Sequence, residues 1–350
     1  MKIAIISDQH FGARKNSKLF HDFFQKFYDE VFFPYLDDNN ISVCIDMGDT
    51  FDNRTGINYS ALRWAKDNYF QLLRDRGINL TCLVGNHTAY YKNTNRVNTC
   101  ELLLREYDNI HVVSEYEELN IGGLDIAFIP WINSENEEST YKKITKSKCS
   151  VAMGHLELKG FAANLHCIME HGADKNVYKN FKKVLSGHYH TRSIEGNINY
   201  LGNPYEIYWN DYGDTRGFHV FDTETLEYTA INNPYNIFYK IYYEDTNYQT
   251  FDTREYENKI VKLIVRKKSD QKKFEKFIDK LFSSNVADLK IIESVDFSGW
   301  YSKDQFEATE SEDTLSILTR YIDESETDID SQSIKNVVQE VYKEACEVVE

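Results

Sequence analysis

Five apolar runs in this chain end alike, each breaking into a short polar corner that carries nitrogen or oxygen donors. Ile3-Ala4-Ile5-Ile6 runs into Asp8-Gln9-His10, and Val43-Cys44-Ile45-Asp46-Met47 runs into Gly48-Asp49-Thr50-Phe51-Asp52. Leu80-Thr81-Cys82-Leu83-Val84 leads to Gly85-Asn86-His87, Val151-Ala152-Met153 to Gly154-His155, and Val184-Leu185 to Gly187-His188-Tyr189-His190. Short aliphatic runs bounded by glycine read as buried strands. Five strand ends therefore bring polar groups to one edge of a sheet. In an open α/β sheet that edge, outside the carboxyl ends of the strands, is where ligands bind.

The donor types set the chemistry. Asp8, His10, Asp49, Asn86, His155, His188 and His190 offer imidazoles, carboxylates and one amide, with no thiolate among them. Such a set suits divalent manganese, iron or zinc, whereas a soft-metal site is built from cysteine. Seven donors are too many for one ion. They suffice for two ions sharing a bridging carboxylate, the arrangement that clamps the attacking and leaving oxygens in phosphoester hydrolysis. An isolated Asp-x-His or Gly-His is a weak signal, and a lone histidine after a strand is more often structural; the ordered recurrence carries the reading. Glycine just before the donors, at Gly48, Gly85, Gly154 and Gly187, fits tight corners.

These five motifs resemble those of the calcineurin-like metallophosphoesterases. Within that superfamily the chain is most similar to DNA double-strand-break nucleases of the Mre-eleven/SbcD type, nearest to their counterparts in T-even-like bacteriophages. Tyr91-Lys92-Asn93, Ile129-Pro130-Trp131, Gly154 to Phe161, Tyr200-Leu201-Gly202-Asn203-Pro204 and Arg216-Gly217-Phe218 add to the likeness, which is strong over residues 1–232 and weaker beyond. The resemblance implies that Asp8, His10, Asp49 and His190 hold one metal and that Asp49 bridges to a second, completed by Asn86, His155 and His188. It implies that His87 binds no metal and assists the leaving oxygen as a general acid. It further implies two divalent cations, manganese first among them, a homodimer, and a partnership with an SMC-like coiled-coil ATPase. The implied activities are 3′-to-5′ exonuclease on duplex ends and endonuclease on single strands.

One position departs from the family. An acidic residue usually follows the catalytic histidine, and here Thr88 does. A carboxylate could orient the imidazole and raise its pKa, whereas a hydroxyl can only hydrogen-bond. Asp52 is a candidate replacement. The alternative reading is a stand-alone phosphomonoesterase or cyclic-nucleotide phosphodiesterase on the same centre, which leaves the tail described below without a purpose. A third is an architectural subunit whose chemistry has faded, hinted at only by Thr88.

The net charge of −16 argues against a DNA partner until its distribution is considered. Residues 301–350 hold 14 acidic and 4 basic side chains, so most of the acidity is a tail. Bound dications would also cancel carboxylate charge at the centre. Arg14, Lys15 and Lys18 follow the first motif, Arg54 the second, Tyr91 and Lys92 the third, and Arg192 the last. As a set they suit a phosphate backbone and a frayed base, and singly they are equally well ordinary surface. Arg14, Arg54, Tyr91, Lys92 and Arg192 are taken as the candidate DNA contacts. The six cysteines are dispersed with no Cys-x-x-Cys pair, and Cys44 and Cys82 read as small core residues in a reducing compartment. No charged-then-apolar leader opens the chain, and no run approaches the roughly 18 apolar residues of a membrane span. A cytoplasmic protein is expected, in the host cytoplasm if phage-encoded.

Three segments are expected from the remaining pattern. Residues 1–232 read as an α/β phosphoesterase domain, a four-layer sandwich of two mixed sheets flanked by helices. Its first helix is capped by Ser17 and carries the stripe Leu19, Phe20, Phe23, Phe24, Phe27, Tyr28, Val31 and Phe32. Residues 157–182 look like a weakly patterned insertion suited to substrate contact. After Asn232-Asn233-Pro234, residues 233–300 form a small α+β unit, which the resemblance makes a capping domain that positions DNA. Its basic stretches Arg266-Lys267-Lys268 and Lys272-Lys273 suit DNA contact or a solvated helix start. Residues 301–350 contain two apolar stripes, at Thr314 to Tyr321 and Ser333 to Val349, too short to persist alone as helices. The resemblance makes them the dock for the ATPase. No Gly-x-x-x-x-Gly-Lys-Ser/Thr loop is present, so ATP hydrolysis would come from that partner.

Overall fold

A computed structural model describes residues 1–165, 167–247, 250–266 and 270–293, together with residues 322, 330–332, 334, 335, 337 and 338. The chain divides into two compact units, Met1–Asn236 and Ile237–Glu350. The expected tail helices, and Lys267 and Lys268, lie largely or wholly outside the described residues.

In chain order the strands of the first unit are β1 (Lys2–Ile6), β2 (Val43–Asp46), β3 (Asn79–Leu83), β4 (Ala89–Tyr91), β5 (Thr94–Asn98), β6 (Ile110–Val113), β7 (Glu117–Ile121) and β8 (Leu124–Ile129). They continue with β9 (Val151–His155), β10 (Ala162–Asn164), β11 (Cys167–Ile168), β12 (Lys183–Gly187), β13 (Ser193–Glu195), β14 (Ile198–Tyr200), β15 (Gly217–Asp222) and β16 (Tyr228–Asn232). Two six-stranded sheets result, ordered β16-β15-β1-β2-β3-β6 and β13-β14-β12-β9-β8-β7. Each is mixed. Strands β1, β2, β3 and β6 run parallel, as do β8, β9, β12 and β14, and antiparallel strands flank them. Parallel pairing is what gathers the carboxyl ends of β1, β2 and β3 on one edge, and those of β9 and β12 likewise.

Alternation explains the layers. Ile3 and Ile5 of β1, Ile45 of β2 and Leu83 of β3 pack with Ile126 and Phe128 of β8, Val151 and Met153 of β9 and Leu185 of β12, forming the core between the sheets. The other face of the second sheet, through Ala127, Ile129, Ala152 and Val184, packs against Ile144 of helix Glu137–Lys146. Within residues 157–182, expected to be a substrate-contacting insertion, Leu158, Phe161, Tyr178 and Phe181 are buried in this same cluster.

The first sheet is covered by the aromatic helix. It runs Lys18–Phe27, continues through one π-helical turn, Tyr28–Phe32, and ends at Phe33–Asp38. Its buried rings meet Phe11, Tyr69, Tyr205 and Phe218. Ser17 sits at the N-cap position but its side chain caps nothing, contrary to expectation. Upstream, Arg14, Lys15 and Asn16 all take left-handed backbone (φ 55°, 59° and 61°), and the Ser17 backbone N–H donates to Arg14 O.

The second unit has a three-stranded parallel sheet, β17 (Phe238–Tyr242), β18 (Ile260–Val265) and β19 (Asp288–Glu293), in that spatial order. Helix Gln271–Phe282 packs on it through Phe274, Phe277 and Leu281, and Asp270 caps it by accepting from Lys273 N. No helix among the described residues is long and apolar enough to cross a membrane.

Candidate metal centre

The five corners meet where the two sheets present their carboxyl ends. Asp8, His10 and His190 offer ligand atoms within 4.8 Å of one another, and so do Asp49, His155 and His188. Asn86 Oδ1 lies 2.9 Å from His155 Nε2 and 3.0 Å from His188 Nδ1, which joins it to the second group. Across the first group, His190 Nε2 stands 3.2 Å from His10 Nε2. All seven sequence candidates are thus brought together in two clusters. Converging imidazole nitrogens, carboxylate oxygens and one amide oxygen form the donor set that hard or borderline divalent cations take, so the residues fit two such ions.

The backbone is held in unusual conformations to achieve this. Asp8, His10, Asp49 and His188 have φ of 52°, 47°, 52° and 86°. Each left-handed non-glycine residue costs on the order of 1–2 kcal/mol, and such strain persists only where the surroundings over-determine it. Those surroundings are visible. Asp8 N–H bonds to Gly48 O, His10 N–H to Asp49 O and Phe11 N–H to Thr50 O, so the first two corners are zipped together. Gly48 has φ 106°, and a Cβ there would stand 2.6 Å from His155 Nδ1. Any side chain would displace a donor.

The charges couple strongly. Burial alone would raise the Asp49 carboxyl, but His155, at 3.2 Å, and His87 hold it well below the usual range. Burial opposes charge on His155, yet Asp49 lifts its imidazole to about 9. His188 is pushed well below its ordinary value by burial and then by His155. Since a ligating imidazole must be neutral, protons on His155 compete with a cation.

His87 lies beside the centre, its ring centroid 4.9 Å from that of His10. Its Nδ1–H donates to the backbone carbonyl of Asp52 at 2.7 Å, which leaves Nε2 for chemistry. Asp52 therefore does orient His87, but with its main chain. Its carboxylate goes elsewhere, to His10 Nδ1 at 3.1 Å, with Tyr208 OH donating to it at 3.4 Å. Thr88 is fully buried and closes its own turn, accepting from Gly85 N at 2.9 Å and donating to Gly85 O at 3.1 Å. Burial lowers the pKa of His87.

Several supporting residues carried no sequence signal of their own. Asp46, wholly buried, accepts from Gln9 Nε2, Thr50 Oγ1 and Gly48 N. Gln9 in turn is held by Tyr28 and Tyr205. Behind His190, the Asp211 carboxylate lies 3.8 Å from its Nδ1 and 3.1 Å from Arg216, which also pairs with Asp214 at 3.0 Å. Burial would raise Asp211, but Arg216 and then His190 outweigh it and hold it far below the carboxylate range. Arg216-Gly217-Phe218 and the stretch before Pro204 had flagged this region only as motif.

The candidate DNA contacts separate. Arg14 lies 5.8 Å from the ring centroid of Tyr208, and through it adjoins Asp52. Arg54 stands over Trp131 at 5.7 Å. Tyr91 and Lys92, on the β4–β5 hairpin that follows His87, are exposed. Arg192 is different: it is half-buried and donates to Asn232 at 2.7 Å, so its side chain is tied to the edge of the first sheet rather than presented as open surface.

Comparison with known proteins gives the following. The pattern of the family described as calcineurin-like phosphoesterase matches residues 1–192. Exonuclease subunit 1 of Enterobacteria phage T4 is 30% identical over 352 residues, covering 99% of this chain and 100% of the relative. Two solved structures also align. A novel archaeal phosphodiesterase covers 67% of this chain and 100% of its own, with 16% identity and a TM-score of 0.35. A dimetal phosphatase from Danio rerio covers 63% of this chain and 91% of its own, with 10% identity and a TM-score of 0.36.

Proposed function

The chain belongs to the calcineurin-like phosphoesterases, and from that premise we propose that it is the two-metal nuclease subunit of a DNA recombination and repair complex. The observation that carries this reading is the pair of donor clusters, Asp8/His10/His190 and Asp49/His155/His188 with Asn86; beside them His87 stands with His10 and Asp52 as a third such group, and the proposal makes it the acid rather than a ligand. Asp49, in the second cluster, would be the carboxylate shared by the two ions. Two divalent cations held there, manganese first, would supply Lewis-acid polarisation of the phosphoryl oxygens and a nucleophile from water at neutral pH.

The chain's own residues do the rest. Asp52 fixes two imidazoles, His10 by its carboxylate and His87 by its carbonyl, so both present Nε2 in a defined tautomer. In its imidazolium form, with Nε2 protonated as well, His87 gives that proton to the departing ester oxygen and returns to the neutral Nδ1–H tautomer. Arg14, Arg54, Tyr91 and Lys92, which follow the donor motifs in sequence, are cationic and aromatic groups suited to a polymeric phosphodiester. The T4 relative is named an exonuclease subunit, which supports exonuclease action; 3′-to-5′ polarity on duplex ends and endonuclease action on single strands are the finer part of the proposal and rest on the family resemblance. A homodimer working with an SMC-like ATPase in the cytoplasm of an infected host completes the proposal. In it, residues 1–232 cleave, 233–300 position DNA and 301–350 bind the ATPase.

End-labelled linear duplex incubated with manganese, magnesium or EDTA tests it, beside His87→Ala and a small chromogenic phosphodiester. Manganese-dependent end degradation is expected, reduced about 10²–10⁴-fold in His87→Ala as for loss of a general acid. Hydrolysis of the small ester with DNA untouched, even when a coiled-coil ATPase partner is added, would replace this reading by the stand-alone phosphoesterase.

A further inference from the structure

Tyr208 joins the two imidazoles of the first cluster. Asp52 Oδ1 lies 3.1 Å from His10 Nδ1, and the Tyr208 hydroxyl donates to that same oxygen at 3.4 Å. The Tyr208 ring also lies nearly parallel to the ring of His190, at 20° with centroids 6.4 Å apart, within the range of offset aromatic pairs. His10 and His190 bring their Nε2 atoms to 3.2 Å. One half-buried side chain thus reaches the first imidazole through Asp52 and the second through its own ring.

The main chain fixes where that side chain stands. Tyr208 precedes a single helical turn, Trp209–Asp211, and the buried Asp211 carboxylate turns back to accept from Ile207 N at 2.7 Å and from Tyr208 N at 2.9 Å. The other oxygen of Asp211 is 3.1 Å from Arg216 and 3.8 Å from His190 Nδ1. The carboxylate behind His190 therefore anchors Tyr208, and Tyr208 in turn holds the carboxylate behind His10. Burial pushes the pKa of the Tyr208 hydroxyl up, and Asp52 and then Asp211 push it further, so the group keeps its proton and donates. A ligating imidazole keeps its lone pair aimed at the ion when a carboxylate holds its other nitrogen. Two donors meeting at one oxygen of Asp52 restrict the rotation that would otherwise release His10.

We propose that Tyr208 is a positioning residue selective for the first cluster. It locks the Asp52 carboxylate on His10 and packs beside His190, so that Asp8, His10 and His190 are set for a divalent cation before one arrives. Asn86, His155 and His188 take no part in this sequence of contacts, and the second cluster should not feel the loss of Tyr208. The proposal rests on the two-metal reading above.

Manganese titration calorimetry on the full, metal-free chain tests it. Wild type should bind in two steps, and the step that His190→Asn abolishes reports the first cluster. Tyr208→Phe keeps the ring and removes the hydroxyl. It should weaken that step about 3- to 10-fold, the worth of one long hydrogen bond to a charged acceptor, and leave the other step unchanged. Tyr208→Ala, which removes the ring as well, should weaken the same step about 10- to 100-fold. Two steps left unchanged in Tyr208→Phe overturn the proposal and leave the two-metal reading standing. Equal weakening of both steps, with a lower melting temperature of the metal-free chain, overturns it in favour of a general structural role. A wild-type chain that binds fewer than two manganese ions overturns the two-metal reading, and this proposal with it.

Discussion

Replacing Asp46 with alanine should loosen the centre without touching a candidate ligand. The carboxylate is the last residue of β2, and three donors converge on it: Gln9 Nε2 at 2.7 Å, Thr50 Oγ1 at 2.7 Å and Gly48 N at 3.1 Å. Two of these groups belong to the second corner and one to the first, so the residue fastens one to the other. Alanine would leave three buried donors unmet, each at about 1–3 kcal/mol. A water entering the vacated space could serve two of them, and the expected loss is about 3–5 kcal/mol. Asp46→Asn keeps an oxygen for Gln9 and Thr50 but turns an amide toward Gly48 N, and should lose only about 1–2 kcal/mol. Urea unfolding in EDTA, followed by tryptophan emission, suits the measurement because Trp64, Trp131 and Trp209 all lie in the first unit. In the same alanine variant, hydrolysis of a small phosphodiester should drop about 10- to 100-fold, since displacement of reacting groups by about 1 Å costs that order. A stability loss under about 1 kcal/mol with unchanged hydrolysis would refute the view that Asp46 holds the corners together.

Asp52→Ala should weaken metal binding about 10- to 100-fold by freeing His10, as for other carboxylates behind ligating imidazoles; titration calorimetry reads this directly, and an unchanged affinity would mean that His10 is oriented by something else. Gly85→Ala should abolish metal-dependent hydrolysis, because its Cβ would fall 2.6 Å from the backbone nitrogen of Asp49 and closer still to its carboxylate. Full activity in that variant would show that the corner can move aside. Burial, aided by Arg192, lowers His219 from 6.5 to about 3, so between those values the unfolded chain holds the extra proton and this residue's contribution to stability is lost as pH falls. Stability of the wild type should therefore rise more steeply with pH across about 3 to 6.5 than that of His219→Phe, by up to about 1.4 kcal/mol per pH unit; parallel pH–stability curves would count against a neutral buried His219.

The route from sequence to site was shortest where information is local. Apolar runs of two to five residues, four of them leading into glycine, marked β1, β2, β3, β9 and β12, and the helical stripe of phenylalanines placed the cover of the first sheet. Helix Gln271–Phe282 is set by local features, since its apolar positions Phe274, Phe277 and Leu281 and its Asp270 cap all lie within a few residues. Ser17 misled for the opposite reason. A capping residue type is visible in sequence, but the backbone that enters the helix, here three left-handed residues, is not. Thr88 was visible as a departure, while the group that takes over for the missing acid, a main-chain carbonyl of Asp52, has no side-chain identity to read.

What the sequence determined by itself was the kind of chemistry: hard nitrogen and oxygen donors, in five places, each at the end of a strand. Residue type and period-two burial are local properties, recorded wherever a strand has one or both faces inside. Which donors share a cluster was decided only by tertiary structure. His10 and His190 come to 3.2 Å across 180 residues, and His155 meets Asn86 across 69, because β1–β3 and β9–β12 belong to different sheets that pack face to face. The Asp46–Gln9 brace and the Arg216–Asp211 support behind His190 are likewise matters of tertiary packing. One-dimensional spacing does not encode those, because the contacts that fix them are made between segments that have no local reason to be neighbours.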